Sequence, residues 1–364
     1  MGVQETWARL LELRSEDGDH PAFPGAVMQW GSGGKIISVQ ARGWAKCYAD
    51  VDGTLLPEAE RIEMRTDTIF DLASISKLFT SIVILQLVQQ GTIDLDRPVV
   101  DYLPEFTGEH KSVITVRQLL IHTSGFPAEI KLWRLFPDHD SRLLGALQAD
   151  LVAEPGTAYC YSDLNLITLG VLAGRITGRS LDELVADGIT RPLGMIDTGY
   201  NPDPSLRPRI AATEYSPVPE RGLVWGQVHD ENTWSLGGLA GHAGVFSTVA
   251  DLGRLADSMI NRSAYPGGRL LDDALFTEMV TNQTPDFPDH DHGLGFEINQ
   301  PWYMGALASA NTIGHSGFTG TSLVIDLRRG AYAILLTNRV HPSRTWGKIN
   351  KARAVASDGL AALL

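Results

Sequence analysis

Strand-like segments stand at both ends of this chain, and helical patterns fill most of the region between them. Residues 25–46, GAVMQWGSGGKIISVQARGWAK, contain two β-rich runs around a Gly-Ser-Gly-Gly turn, which predicts a hairpin. Residues 321–340 contain two more such runs around 326–330. From about 74 to 205 helical periodicity dominates, punctuated by proline and glycine. This order predicts one sheet built from both ends of the chain, with a helical lobe inserted between them.

The bulk composition narrows the classes of partner. The chain has 364 residues with 43 acidic and 30 basic side chains, a net charge of −13. No cluster of Lys and Arg interrupts this excess, so the sequence predicts neither nucleic acid nor an anionic membrane as a partner. No run of about 18 apolar residues occurs, so no membrane-spanning helix is expected either. The composition makes no prediction of the oligomeric state.

Cysteine usage and the amino-terminal segment bear on the compartment. The two cysteines, Cys47 and Cys160, lie far apart and outside any C-x-x-C spacing, which excludes a disulfide framework and a zinc ribbon. The first twenty residues have the pattern of a short amphipathic helix without the apolar stretch of a secretory signal. We therefore expect a cytoplasmic protein.

A lysine interrupts the apolar run FDLASISKLFTSIVILQL at residues 70–87. Apolar residues recur there with helical spacing, so Lys77 belongs to a mostly buried helix, where an ammonium is costly unless it is paired or neutral. Two interpretations are open. Lys77 extends from the polar edge of the helix to water, or it serves the chemistry of Ser74, which lies three residues earlier on the same helix face. A Ser-Lys pair is one way to activate a serine.

Two other stretches support the chemical interpretation. Residues 154–170 place Tyr161, Ser162 and Asp163 at a junction between a loop and a helix. Residues 313–327 place His315, Ser316 and Gly317 where a strand begins. Each of these short patterns is weak alone, but their order and spacing along the chain are specific.

With these motifs, the chain resembles the serine β-lactamase and penicillin-binding-protein superfamily, nearest the class C, DD-peptidase and esterase branch. The superfamily motifs S-x-x-K, Y-x-N and K/H-[TS]-G stand here as S-I-S-K, Y-S-D and H-S-G, and the resemblance covers about residues 20–345. It implies a mixed α/β (α+β) fold, an antiparallel sheet flanked by helices plus an all-helical lobe. We expect one domain over 1–364, with a sheet lobe of about 1–80 and 206–364 and a helical lobe of about 81–205.

The resemblance also implies roles for individual residues. Ser74 would be the nucleophile that forms an acyl-enzyme, and Lys77 and Tyr161 would share the general base and acid work. A nearby ammonium would lower the pKa of the phenol and ease proton transfer at neutral pH. The backbone amides of Ser74 and Phe318 would form the oxyanion hole. No metal or cofactor is implied.

Two departures from the family motifs concern charge. Asp163 stands where Asn is commoner, and a carboxylate near Lys77 would hold the lysine protonated and shift the base role to Tyr161. Alternatively, Asp163 points away and caps the following helix.

The second departure is in the third motif. His315, with Ser316 and Gly317, would contact the substrate, but a histidine is mostly neutral at pH 7 and provides no fixed charge for a substrate carboxylate. Asn338 and Arg339 are the candidates to supply that missing positive charge.

Other motifs and functions compete with this interpretation. The GHSGF segment has Phe318 where a nucleophile elbow needs Gly, which argues against an α/β-hydrolase. His290 and His292 are possible metal ligands in a proline-rich loop, although a solvated loop is the plainer interpretation. The leading hypothesis is a serine hydrolase acting on a small-molecule ester or amide. An acyltransferase and a non-catalytic module that binds β-lactams or peptides are the alternatives.

Overall fold

A computed structural model describes residues 1–14, 18–347 and 349–364 of the chain. Within these ranges the strands, in chain order, are β1 (Gly25–Ser32), β2 (Lys35–Lys46), β3 (Ile62–Glu63), β4 (Phe70–Asp71), β5 (Gly199–Tyr200), β6 (Tyr215–Pro217), β7 (Glu220–Leu223), β8 (Val245–Ser247), β9 (Ala264–Tyr265), β10 (Gly268–Arg269), β11 (Glu297–Ile298), β12 (Thr312–Gly317), β13 (Thr321–Asp326) and β14 (Ala331–Thr337).

The α-helices of the same ranges are α1 (Val3–Glu12), α2 (Ser76–Gln89), α3 (Val116–Leu120), α4 (Leu132–Leu135), α5 (His139–Gln148), α6 (Asp163–Thr177), α7 (Leu181–Val185), α8 (Arg191–Leu193), α9 (Glu231–Ser235), α10 (Val249–Ile260), α11 (Asp273–Met279), α12 (Pro301–Met304) and α13 (Asn350–Ala361). Short 3-10 helices lie at Glu58–Glu60, Ala73–Ile75, Val99–Asp101, Lys111–Val113, Pro204–Arg209 and Gly305–Leu307, and a π-helical turn at Ala186–Thr190. None of these helices is both long and apolar enough to cross a membrane.

The main sheet joins the two ends of the chain. Its seven strands, counted over the described residues, run antiparallel in the order β11, β12, β13, β14, β1, β2, β3. The predicted hairpin is present as β1 and β2, and Gly33 and Gly34 at its turn have the positive φ that such a turn requires. The central pairing of β1 with β14 confirms that the sheet is built from both termini.

Helices cover both faces of the sheet. On one face α1, α12 and α13 pack around Trp7, Trp30 and Leu360. On the other face α10 contacts β1, β13 and β14 and belongs to the larger core. Helix α2 connects this core to the helical segments that follow it, and its side chains are buried almost all round because neighbours surround it. This surrounding explains why apolar residues occur on every side of the helix and not on one face alone.

One buried amide side chain fastens the centre of the sheet. Asn338, directly after β14, accepts a hydrogen bond from the backbone N–H of Gly25 at 3.0 Å and donates to the carbonyls of Trp44 and Ala45 at 3.2 and 3.1 Å. It therefore joins the start of β1 to the end of β2. A side chain that is 1% exposed and satisfied in this way is structural.

Replacing this amide should destabilise the fold. Asn338→Ala leaves a buried N–H and two carbonyls without their partner, so we expect the free energy of unfolding to fall by about 2 to 4 kcal/mol. Urea denaturation followed by circular dichroism measures the change. Asn311→Ala, at an exposed position, is the matched control and should shift the midpoint little. Equal small shifts for both variants would contradict the structural role.

Candidate active site

Ser74 lies in a 3-10 turn, Ala73–Ile75, that leads directly into α2. The preceding Ala73 has φ of 47°, a left-handed conformation that is uncommon for a residue with a side chain. The buried carboxylate of Asp71 holds this turn, because its Oδ1 accepts a hydrogen bond from the N–H of Ala73 at 2.8 Å and its Oδ2 one from His229 at 2.6 Å. The strained turn presents the Ser74 side chain to a cleft.

Lys77 is buried against Ser74, with only 1% of its surface exposed. Its Nζ donates to the Oγ of Ser74 at 2.9 Å and to the carbonyl of His242 at 3.3 Å, and it lies 2.8 Å from Oδ1 of Asp163. The interpretation in which Lys77 extends to water is therefore wrong. The burial is possible because a carboxylate and two further acceptors surround the ammonium.

The charge state of Lys77 follows from these contacts. Burial opposes the ammonium, but the carboxylate of Asp163 and the phenol of Tyr161 outweigh it and raise the pKa of Lys77 above its usual value. Lys77 is thus an ammonium at neutral pH. Asp163 therefore favours the protonated form of Lys77, as the sequence analysis predicted.

Tyr161 stands over the same ammonium. The centre of its ring lies 4.7 Å from Nζ of Lys77, and it lines the cleft together with Ser74. Burial raises the pKa of Tyr161 by more than the nearby Lys77 lowers it. The ammonium does lower the phenol's pKa, as expected, but the enclosure of the ring, which the sequence did not predict, has the larger effect. At rest the site therefore holds a hydroxyl, an ammonium, a carboxylate and a neutral phenol.

The segment carrying Tyr161 and Asp163 is fixed by neighbouring polar groups. Ser162 caps α6, since its Oγ accepts from the N–H of Leu164 at 3.2 Å, so the alternative in which Asp163 is the cap is wrong. His122 holds the same segment through its Nδ1, which accepts from the N–H of Ser162 at 3.1 Å. Asp163 is then the first residue of α6 and directs its carboxylate to Lys77.

His315, Ser316 and Gly317 form the end of β12 and line the cleft. The Nδ1 of His315 lies 2.8 Å from the carbonyl of Ser316, an arrangement that suits an N–H donor at Nδ1 and leaves Nε2 as an acceptor. Burial, helped by the charge of Lys77, lowers the pKa of His315 to about 3. The imidazole is therefore neutral at pH 7, as expected from the sequence.

Of the two residues suggested as a source of positive charge, Arg339 lies at the cleft and Asn338 does not. Arg339 lines the cleft, but its Nε donates to the carbonyl of Phe318 at 2.8 Å and its Nη1 donates to the carbonyls of Arg344 and Gly347. Its guanidinium also lies 4.5 Å from the centre of the Phe318 ring. Arg339 thus fixes the segment that carries Phe318, while Asn338 is buried in the sheet as described above.

The cleft encloses about 410 Å³ and contains residues that the sequence patterns did not reveal. Glu297 on β11, Trp302 on α12, and Asn350 and Arg353 on α13 line it together with the motif residues. Arg353 is 5% exposed, and its guanidinium donates to the carbonyl of Gly317 at 2.5 Å and to Asn350 at 2.8 Å. Arg353 supplies a fixed positive charge to the cleft, so the inference from His315 that this charge is missing was wrong.

The two histidines considered as metal ligands contact aromatic rings. His290 stacks on Tyr159 with ring centres 4.4 Å apart, and His292 packs edge-on against His122 at 5.2 Å. Over the described ranges one group of carboxylates and imidazole has the spacing of a metal site, Asp163, Asp230 and His242, and it includes neither histidine. Lys77 already contacts Asp163 in this group, and a second cation there would be repelled.

Comparison with known proteins agrees with this geometry. The sequence model described as Beta-lactamase matches residues 12–358. The chain belongs to the beta-lactamase family. A relative from Salmonella typhimurium, named "Putative D-alanyl-D-alanine carboxypeptidase", is 34% identical over 346 residues, which cover 86% of this chain and 78% of the relative.

Solved structures share the family fold. A penicillin-binding-protein homologue from Caulobacter crescentus superposes with a TM-score of 0.71 at 21% identity, over 99% of this chain and 96% of its own. A family VIII carboxylesterase gives 0.72 at 21% identity, with the same coverages of 99% and 96%. The resemblance and the fold class inferred from the motifs are confirmed.

Removing the carboxylate at position 163 should change the pH dependence of this family member. Asp163→Asn should lower the pKa of Lys77, because the partner that favours the ammonium is gone. Covalent labelling by a fluorophosphonate should then reach half its maximal rate at a pH lower by about one unit or more. Labelling rates between about pH 5 and pH 10 measure this. Asp182→Asn, at an exposed position on α7, is the control, and coincident profiles for all three proteins would contradict the coupling.

Proposed function

We propose that the protein is a serine hydrolase that cleaves an ester or amide through an acyl-enzyme on the Oγ of Ser74. The observation that carries this proposal is the 2.9 Å contact between Nζ of Lys77 and Oγ of Ser74 inside a buried charge network that opens on the cleft. Burying a lysine beside a serine costs folding free energy, because the ammonium loses its contact with water. A lysine in contact with a serine can take part in removing the hydroxyl proton, which explains why the costly burial would be maintained.

Proton movement in acylation follows from the charge states. Lys77 is an ammonium, so it can accept the proton of Ser74 only as it gives up one of its own. Asp163 is an acceptor 2.8 Å away and can take that proton. As Ser74 Oγ bonds to the acyl carbon and the leaving group departs, the phenol of Tyr161 or the Lys77 ammonium returns a proton to the leaving atom. The net result is an ester of Ser74, with the proton count conserved.

Backbone groups near Ser74 would stabilise the developing negative charge. Ser74 lies at the start of a helix and Phe318 directly after β12, and both line the cleft. Their N–H groups are the oxyanion donors that the family relationship suggests. Water would release the acyl group in a hydrolase, whereas an amine or alcohol would do so in an acyltransferase. Both share the acyl-enzyme, so acyltransfer stays the alternative, and the retained Ser74, Lys77 and Tyr161 weigh against a non-catalytic binding module.

Loss of the serine hydroxyl should abolish activity without unfolding the protein. Ser74→Ala removes the atom that forms the acyl bond, and we expect no ester turnover and no labelling by fluorophosphonate or fluorescent penicillin. The free energy of unfolding should fall by about 1.5–3 kcal/mol, since the substitution removes one charge-assisted hydrogen bond from Lys77 but leaves its contacts with Asp163 and the carbonyl of His242. Mass mapping of the labelled peptide identifies the reactive residue in the unsubstituted protein.

The matched control is Ser124→Ala. Ser124 is a buried serine that bonds Asn165 outside the cleft, so its variant should keep its labelling. Labelling that persists in Ser74→Ala, or that maps to Ser124 or Ser316, would reject the proposed nucleophile.

Substrate preference should favour neutral esters over β-lactams. A short-chain nitrophenyl ester has a good leaving group and needs no charge recognition, so we expect measurable hydrolysis. A chromogenic cephalosporin should acylate Ser74 but turn over more slowly than the ester, because it is anionic and the carboxylate of Asp163 adds negative charge close to the reacting serine. Asp163→Asn should shift the ratio of the two rates toward the cephalosporin, and His315→Lys should shift it further.

A substitution at Arg353 gives a second test of the preference for neutral esters over β-lactams. Arg353→Gln should lower kcat/KM for the anionic cephalosporin by about tenfold more than for the neutral ester, because a charge-assisted hydrogen bond contributes roughly 1.5–3 kcal/mol. Efficient cephalosporin hydrolysis by the unsubstituted protein, without ester activity, would overturn the preference.

A further inference from the structure

His229 contacts both of the segments that carry the proposed oxyanion donors. It is a buried residue in the loop between β7 and α9. One of the two segments is the turn that holds Ser74, and the other begins at Phe318, directly after β12. Two backbone N–H groups stabilise one oxygen atom only when they point at the same place, so the two segments have to be held at a fixed spacing.

The backbone of His229 holds the Ser74 turn. Its N–H donates to Oδ2 of Asp71 at 2.6 Å, and Oδ1 of the same buried carboxylate accepts from the N–H of Ala73 at 2.8 Å. Every residue except proline has this backbone N–H. A substitution of His229 by another residue therefore changes only what its side chain does.

The side chain of His229 contacts Phe318. The two rings stack with their centres 5.7 Å apart and their planes inclined by 22°. The guanidinium groups of Arg339 and Arg344 lie 4.5 and 5.6 Å from the centre of the same Phe318 ring. Stacking and cation–π contacts at such distances are attractive. A phenylalanine that is 49% exposed is thereby held by three side chains.

A buried carboxylate fixes the orientation of the imidazole. Nε2 of His229 lies 2.9 Å from Oε2 of Glu214. Arg344 donates to the same carboxylate from its Nε at 2.5 Å and from its backbone N–H at 2.9 Å. Burial would raise the pKa of Glu214, but the hydrogen bonds from His229 and Arg344 outweigh it and lower the pKa. Glu214 is therefore a carboxylate that accepts the Nε2–H of His229.

Two threonines join the same segments farther along the chain. The hydroxyl of Thr319 donates to the carbonyl of Asp71 at 2.7 Å, and the hydroxyl of Thr321 donates to the carbonyl of Leu72 at 3.1 Å. These hydrogen bonds fix the backbone that follows Phe318. The ring of Phe318 depends instead on the contacts with His229 and the two arginines.

We propose that His229 is a positioning residue for the oxyanion hole, and that it fixes the N–H of Phe318 relative to the N–H of Ser74. The assignment rests on the proposed acyl-enzyme function and deepens it, because it names what controls the geometry of that site. The hydrogen bond to Asp71 holds one donor, and the ring stacked on Phe318 holds the other. Both donors are then in place before negative charge develops on the acyl oxygen.

Two substitutions separate the ring of His229 from its hydrogen bond. His229→Gln keeps a donor for Glu214 but has no ring, whereas His229→Phe keeps a ring but cannot donate. In single-turnover acylation by nitrophenyl acetate, His229→Gln should lower the acylation rate constant by about tenfold, because loss of a whole oxyanion donor costs about 10²–10³-fold. The substrate dissociation constant should change by less than about twofold, since the donors act on the transition state. His229→Phe should keep the rate constant within about threefold, although urea should unfold it more easily.

Gln29→Ala is the control for general destabilisation. Gln29 is a buried side chain on β1 that donates to Oη of Tyr332 at 3.0 Å, outside the cleft. This variant should lose stability and keep its acylation rate constant. Phenylboronic acid, which forms a tetrahedral adduct with a reactive serine, should bind to His229→Gln about tenfold more weakly and to Gln29→Ala as it does to the unsubstituted protein.

A double-substitution cycle with Phe318→Leu tests the contact between the two rings. Phe318→Leu keeps the backbone N–H but removes the ring, so adding His229→Gln to it should slow acylation by less than about twofold more. This cycle keeps the proposal testable even where His229→Phe does not fold.

Four results would refute the role of His229. These are independent effects of His229→Gln and Phe318→Leu, an unchanged rate constant in His229→Gln, equal losses in His229→Gln and Gln29→Ala, and a folded His229→Phe protein as slow as His229→Gln. Absence of labelling at Ser74 in the unsubstituted protein would reject the proposed function instead. The two failures are therefore distinguishable.

Discussion

The site depends on the contacts that the buried ammonium of Lys77 makes with its neighbours. A charge with 1% exposure requires partners from several elements, and here they come from three places in the chain. Ser74 precedes α2, Asp163 begins α6, and the carbonyl of His242 precedes β8. Removing one partner of a buried pair costs about 3–5 kcal/mol, so the position of α6 relative to α2 is energetically tied to the site.

This same pairing determines what chemistry is accessible. Asp163 stabilises Lys77 by favouring its charged form, and that form cannot accept a proton. In the proposed mechanism the resting site therefore reacts only through a coupled proton shift, with Asp163, 2.8 Å from Nζ of Lys77, as the acceptor. Tyr161 adds to this constraint, because its enclosure keeps it a phenol. The carboxylate that makes the lysine burial tolerable also removes the lysine as a ready base.

The local motifs could be predicted from the sequence because their chemistry lies within a few residues. The Ser74–Lys77 spacing, the glycine turn of the first hairpin and the motif at His315 are features of this kind. The predictions that were wrong or incomplete concern side chains whose properties depend on how the folded protein encloses them. Lys77 lowers the pKa of Tyr161 as expected, but burial raises it more, and Asn338 holds the strands of the sheet together instead of lining the cleft.

The residues that were missed had no local signal at all. Glu297 stands in a two-residue strand, and Arg353 is one arginine in a closing helix of mostly small residues. The pairing of β11 with β12 brings Glu297 to the cleft, and the packing of α13 on the sheet brings Arg353 there. A pattern that recognises helix or strand periodicity cannot tell such a residue from an ordinary surface charge.

Gly317 links the end of the cleft that holds Arg353 to the turn that holds Ser74. Its carbonyl accepts the hydrogen bond from Arg353, and a Cβ at this position would lie 2.2 Å from the carbonyl of Leu72, just before the Ser74 turn. Glycine therefore allows β12 to approach that turn closely. Any side chain there would push the strand away from the turn and shift the carbonyl that orients Arg353. The spacing between Arg353 and Ser74 thus depends on this close approach of β12 to the turn that precedes α2.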